Sequence, residues 1–209
     1  MSERIEISTE QAIMEAAEEL FQENGYARTS TTAIAKKAGC NQALVHYYYR
    51  SKENLFGLVF RKKITVFLSF FLQVSNEDLP FEEKLAKRIA AHFDMIQANE
   101  RLPVMFFNEI ATNGELAKKI LENFSDLPLP VILQLQSELD TEFAAGRIRQ
   151  IQATDLVYNI FSMNIMAFLT KPLVQMFTQS TDEMMEQLLK ERKASNIQTI
   201  MSSLKPIIV

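Results

Sequence analysis

The chain has 209 residues and a net charge of −4, with 47% apolar and 23% charged residues, five Gly, six Pro and one cysteine. That balance is ordinary for a folded globular protein and excludes a largely disordered chain. A single cysteine excludes an internal disulfide and fits a reducing compartment, while so few Gly and Pro favour helices over a hairpin-rich fold.

The N-terminal "MSERIEISTEQ" is acidic and polar, unlike a signal peptide. The longest greasy run, "ITVFLSFFLQV", is too short to cross a bilayer. A cytoplasmic protein with no membrane partner is expected.

Helical signals begin at Ser8, which has capping-box spacing with Gln11 and an acid, Glu10, in the first turn. Ile13, Ala16, Ala17, Leu20 and Phe21 recur at helical spacing, and Gly25 reads as the stop. A short second helix follows Ser30 or Thr31 and ends at Gly39. Asn41 then caps a third over Gln42 to Tyr48. Ser51 caps a fourth, whose apolar positions Leu55, Leu58, Val59, Val66, Phe67 and Phe70 carry it past Phe70.

Beyond a loop at 75–80, helices are predicted over Phe81–Ala98, Leu102–Thr112, Glu115–Phe124, Leu127–Ala145 and Thr154–Leu169. Pro172 breaks the pattern, and Ser180 with Glu183 forms a capping box that opens a last helix to about Leu204. No stretch alternates with a period of two. The reading is all-α, about nine helices in total.

Charge is unevenly spread along these elements. Between Gly25 and Lys63 stand eight basic residues and one acid, a net +7, so the rest of the chain carries −11. A basic face on an acidic body is the footprint of a nucleic-acid partner.

Within that basic stretch, Thr31 to Tyr48 has the residue types of two tightly crossing helices. Ile34 and Ala38 face inward one turn apart. Ala35 and Gly39 are small where a second helix approaches, and Gly39 supplies the positive φ of a sharp turn. Val45 and Tyr48 return to the same core. The pattern is a helix-turn-helix.

The segment "TSTTAIAKKAGCNQALVHYYYRSKENLF", preceded by one amphipathic helix and "ENGY", resembles the DNA-binding domain of the TetR family of bacterial transcriptional regulators. The similarity is dense over residues 8 to about 60, including the aromatic run Tyr47-Tyr48-Tyr49 and the "SKE" at Ser51-Lys52-Glu53. Two departures are His46, where an aromatic ring is usual, and Ala33, where an acid often completes a capping box. The resemblance implies a helix-turn-helix DNA-binding domain over 1–52 and a ligand-binding and dimerisation domain over 53–209.

A recognition helix lays its N-terminal part against base edges in the major groove. Gln42 can pair bidentately with adenine, Ala43 can meet a thymine methyl, and His46 and Tyr47 continue that face. Thr31, Thr32, Asn41, Tyr47 or Tyr48, and Lys52 are the candidate phosphate donors. Of the three tyrosines, Tyr48 and Tyr49 are the ones whose spacing also suits the core. The expected partner is a palindromic double-stranded operator.

Catalytic and metal chemistry find no support, because the only histidines, His46 and His92, lack ligand-spaced neighbours and no Gly-rich phosphate loop exists. No cofactor is expected. Cys40 reads as a small buried hydrophobe.

In the acidic body, Met and Phe are abundant, and such residues fill irregular spaces and tolerate varied ligands. The resemblance implies an effector pocket here, for which His92, Met105, Asn108, Glu109, Tyr158, Asn159, Ser162, Met163, Asn164 and Met166 are candidates, and the surroundings suit a largely apolar small molecule. One recognition helix reads few base pairs, so a homodimer is expected. Its candidate interface, on the last two strong helices, is Leu156, Ile160, Met184, Leu188, Ile197, Ile200, Met201 and Leu204.

The expectation is thus an effector-released repressor. The alternative is a DNA-bound structural or partner-binding protein of the same fold, without an effector.

Overall fold

The structure, a computed structural model, describes residues 8–75, 77–112, 114, 116, 118, 122 and 128–206. Among these, ten helices occur: α1 (Thr9–Arg28), α2 (Thr31–Lys37), α3 (Gln42–Tyr49), α4 (Lys52–Ser75), α5 (Phe81–Gln97), α6 (Arg101–Thr112), α7 (Pro128–Ala144), α8 (Ala153–Leu169), α9 (Lys171–Thr178) and α10 (Asp182–Ser203). No strand occurs among the described residues. Most of the helix expected over Glu115–Phe124 lies outside them, as do the side chains of Phe67, Phe70, Met105 and Glu109.

The helices begin where side-chain acceptors can take the first free backbone N–H groups. Ser8 accepts from Gln11 N, Ser30 from Ala33 N, Asn41 from Leu44 N and Ser51 from Asn54 N. At the first of these the capping box is one-sided, because the Gln11 amide donates to Glu15 one turn on instead. The last helix is capped by Thr181, not Ser180: Thr181 Oγ1 accepts from Met184 N, while Ser180 hydrogen-bonds Thr178.

Pro172 starts a helix rather than merely ending one. α8 stops at Thr170 and α9 begins at Lys171, with Pro172 in its first turn, where a missing N–H costs nothing. The two axes are bent by 51°. No single helix among the described residues is long and apolar enough to cross a membrane.

Two compact units emerge from the contacts, one of residues 1–65 and 104–126, the other of 66–103 and 127–209. Residues of α4 belong to both. In the first unit, Ile13, Ala17 and Phe21 of α1 pack with Ile34, Val45, Tyr49, Leu55 and Phe56 as a closed core. The rings of Phe21 and Phe56 meet edge-on at 5.1 Å, and Tyr26 meets Phe56 at 5.0 Å. α1 kinks at Gly25, where φ is 77°, and the buried Thr29 hydroxyl fastens the kink by donating to the carbonyls of Gly25 and Leu20.

The second unit is built on the apolar stripes of α5, α7, α8 and α10, with Leu85, Ile89, Leu135, Leu139, Leu156, Ile160 and Ile200 at its centre. Two polar features interrupt that core. Arg88 is buried and meets Glu138 in a bidentate pair, with Nη2 to Oε1 at 2.8 Å. Further along, His92, Asn164 and Asn196 form a chain linking α5, α8 and α10.

Candidate nucleic-acid interface and ligand cavity

The first unit turns sharply between α2 and α3. Ala38 caps α2, Gly39 follows with φ of 69°, and two bonds close the turn: Gly39 N to Lys36 O and Cys40 N to Ala35 O. This is the Schellman arrangement, which needs a residue tolerant of the left-handed region at the Gly39 position. No heavy atom lies within 4 Å of where a Gly39 Cβ would stand, so close helix approach is not what requires glycine there. Ala35 is buried against the core.

α3 then presents two faces. Val45 and Tyr49, four residues apart, are buried, and the Tyr49 hydroxyl donates to Glu10 O at 2.8 Å. Burial, with the neighbouring Glu10 and Tyr48, pushes the Tyr49 hydroxyl up to about 12, so it stays a donor. Tyr48 is 37% exposed against 3% for Tyr49, which corrects the expectation that Val45 and Tyr48 share the core: α1, whose Glu10 carbonyl receives the Tyr49 hydroxyl, packs on the Tyr49 side. Gln42, Ala43, His46 and Tyr47 all lie on the exposed face, with Asn41 and Thr32 beside them and Thr31 half-buried.

Several of these side chains are already engaged. Gln42 Nε2 donates to Thr31 Oγ1 at 2.9 Å, and Thr32 Oγ1 donates to Gln42 Oε1 at 3.1 Å. Asn41 spends its carbonyl on the α3 cap and keeps its NH2. The Lys52 ammonium donates to Tyr26 O and Thr29 O, both at 3.0 Å, and sits 4.1 Å from the centre of the Tyr26 ring. Of its three N–H groups, two hold the domain together and one remains for an outside acceptor. Cys40 is half-buried.

Part of the basic excess is neutralised within the unit. Lys37 pairs with Glu19 at 2.6 Å, and Lys62 and Lys63 both reach Glu18. Burial raises the Glu18 carboxyl, but the two ammonium groups outweigh it and leave the group below its ordinary value. The hydrogen bond to Glu19 holds the Lys37 ammonium above its ordinary value. What faces outward around α3 is therefore the set Lys36, Arg50 and the polar side chains, not the whole +7 of the stretch.

Comparison with known proteins agrees with this geometry. Residues 13–59 match the model for bacterial regulatory proteins of the tetR family. Residues 13–59 are thus similar to the DNA-binding domain of the TetR family. The fatty acid metabolism regulator protein of Bacillus subtilis strain 168 is 32% identical over 111 residues, 53% of this chain and 57% of that protein. This stretch spans little more than half the length of that relative. The crystal structure of the transcriptional regulator FadR from Bacillus subtilis, in complex with stearoyl-CoA, superposes with a TM-score of 0.70 at 25% identity, covering 92% of this chain and 98% of that one. The fatty acid degradation regulator FadR from Bacillus halodurans shares the fold with a TM-score of 0.69 at 22% identity, over 93% and 97% of the two chains.

The second unit has an open concavity of about 780 Å³ beside α8, α9 and α10. Its walls are Ser162, Met163, Met166, Ala167, Thr170, Val174, Leu188 and Leu189, with Glu191, Arg192, Ser195 and Asn196 as polar elements. Three of the expected pocket residues, Ser162, Met163 and Met166, are thereby brought together. Tyr158 and Asn159 line a separate, smaller concavity with Arg149, Gln152 and Asp155. Asn108 is exposed and belongs to the first unit, and Met105 and Glu109 fall outside the described side chains.

His92 is a core residue. Asn164 Nδ2 lies 3.2 Å from its Nδ1 and donates to Ile89 O at 3.0 Å, while Asn196 Nδ2 donates to Asn164 Oδ1 at 2.9 Å. The His92 ring stacks 4.2 Å from Phe161, and burial pushes its pKa down to about 4, so the ring is neutral near pH 7. Asn196 Oδ1 is buried without a hydrogen-bond partner. The reading of the sequence passed over Asn196 and the Arg88–Glu138 pair. Both could have been found, because Asn196 lies on the buried stripe Met185–Leu189–Asn196–Ile200 and Arg88 on the stripe Leu85–Arg88–Ile89–His92.

The expected dimer residues divide by burial. Leu156, Ile160, Ile200 and Leu204 are spent in the unit's own core. Leu188, Ile197 and Met201 are half-buried, and Met184 is exposed. α9 buries none of its residues, and it exposes Leu173, Met176 and Phe177, the last at 78%.

Proposed function

We propose that this protein is a homodimeric repressor that binds a palindromic operator and leaves it when a long-chain acyl thioester binds the second unit. The observation that carries the DNA half is the exposed row Gln42, Ala43, His46 and Tyr47 on a helix held by the Gly39 turn. That row offers a base-edge reader, a slot for a methyl group and ring hydroxyl or imidazole donors, the mix a major groove accepts. Asn41, Tyr48, Thr31 and the remaining Lys52 N–H supply phosphate donors at its rim. The division of labour is a reader in the first unit and an effector and dimer body in the second.

The effector class rests on two supports. The relatives are fatty-acid regulators, one of them bound to stearoyl-CoA. The open concavity beside α8 is of the size small-molecule sites occupy, roughly 300–1,000 Å³, and half of its lining side chains are thioether or aliphatic. Arg192 at its wall suits an anionic head group. Release follows if the acyl thioester binds better to a conformation that fits DNA worse, a coupling of about 1–3 kcal/mol or 5–150-fold in affinity. α4, shared by both units, is the lever in this scheme. Dimerisation uses the exposed apolar residues Leu173, Met176, Phe177 and Met184.

The test is selection of bound duplexes from a random pool, followed by titration of stearoyl-CoA and of free CoA into the selected complex. A palindromic site, weakened about tenfold or more by the acyl form alone, is the expected outcome. Selection without any sequence preference would remove the regulator reading, and equal effects of acyl and free CoA would remove the effector.

A further inference from the structure

We propose that Thr31 and Thr32 are positioning residues that make Gln42 an adenine reader, a role that rests on the DNA-binding reading above. A carboxamide has two N–H donors and two acceptor lone pairs. In this structure the Gln42 amide uses one of each: Nε2 donates to Thr31 Oγ1 at 2.9 Å and Oε1 accepts the Thr32 proton at 3.1 Å. One N–H and one lone pair remain for a base.

That remainder matches adenine, which shows the N7 acceptor beside the N6 amino donor in the major groove. Guanine shows two acceptors, N7 and O6, and would need both N–H groups of the amide. The clamp has already taken one. Turning the amide over leaves the same remainder of one N–H and one lone pair, because each threonine hydroxyl can both donate and accept. Two bonds from consecutive residues of α2 also fix the side-chain rotamer before DNA arrives, which lowers the ordering cost of contact.

The two hydroxyls are not equivalent toward phosphate. With the amide in this orientation Thr31 takes part as an acceptor, so its own proton is free for a backbone oxygen. Thr32 has given its proton to Gln42 and contributes through that residue.

The experiment uses the full-length protein and duplexes carrying single A·T to G·C changes in the selected site. Affinities are measured for the wild type, Gln42→Ala, the double variant Thr31→Val/Thr32→Val, and the double variant Thr31→Ser/Thr32→Ser. The wild type is expected to prefer adenine at one position per half-site, and Gln42→Ala to abolish that preference. The valine pair should cut it by about fivefold or more per half-site, the discrimination a bidentate pair supplies, and the serine pair should retain it. Unchanged thermal unfolding of the valine pair shows that the domain is intact.

A valine pair that loses affinity equally for every sequence would make the threonines plain phosphate contacts and overturn the proposal. So would a Gln42-dependent preference that survives in the valine pair, or a wild type with no adenine preference that depends on Gln42. A wild type with no sequence preference at all overturns the regulator reading as well.

Discussion

His92 shows how much a single buried group can impose. Its imidazole has an ordinary pKa of 6.5 and one of about 4 in the fold, because burial disfavours the charged ring. Between those values the unfolded chain binds more protons than the folded one, so stability is full above about pH 6.5 and falls as the pH drops toward 4. The loss reaches about 3 kcal/mol at the acid end, at about 1.4 kcal/mol per unit. Urea unfolding at pH 7 and pH 4.5 measures it. His92→Gln, which removes the titrating ring, is expected to shrink the difference between the two conditions. An equal drop for variant and wild type would assign the acid sensitivity to carboxylates such as Glu18 instead. The same network holds Asn196 Oδ1 buried without a partner, a cost a fully paired core would not carry.

At the scale of the element, the α2–turn–α3 unit is shaped by backbone chemistry as well as by the burial of Ile34, Val45 and Tyr49. Gly39 sits at φ 69° in open space, so Gly39→Ala meets no clash and costs only the left-handed backbone penalty of about 1–2 kcal/mol. Asn41→Ala removes the acceptor for Leu44 N and costs about 1 kcal/mol. Thermal or chemical unfolding of each variant checks these values, and weaker DNA binding is expected in both because the exposed row begins one residue after the cap. These features were legible in the sequence: Asn41 and Ser51 announced two caps, Ser30 or Thr31 a third, and Gly39 announced the turn. Less legible was which tyrosine enters the core. Tyr48 and Tyr49 both suit the spacing, and only the direction of approach of α1, whose Glu10 carbonyl receives the Tyr49 hydroxyl, separates them. α9 was missed for a related reason: a proline that bars a helix interior is equally at home in a first turn.

For the whole molecule, the exposed apolar row on α8, α9 and α10 is the feature a monomer explains least. Met166, Met176, Phe177 and Met184 leave a contiguous run of helices with large apolar side chains in solvent. If these residues meet a second copy, Met176→Glu combined with Phe177→Glu yields a monomer by light scattering and loses operator affinity, since one recognition helix reads too few base pairs. Retention of the dimer would move the interface elsewhere on the second unit.

The sequence alone determined the helical class, the helix-turn-helix and the outward row at its tip, because these depend on spacing, caps and one glycine, all local quantities. Tertiary structure decided which apolar residues remain outside. Leu156, Ile160, Ile200 and Leu204 and the exposed Met166 and Phe177 are chemically alike, and only packing against α5 and α7 separates core from free surface. It also decided that Gln42 is held by Thr31 and Thr32, a contact between residues ten and eleven positions apart that no helical period announces.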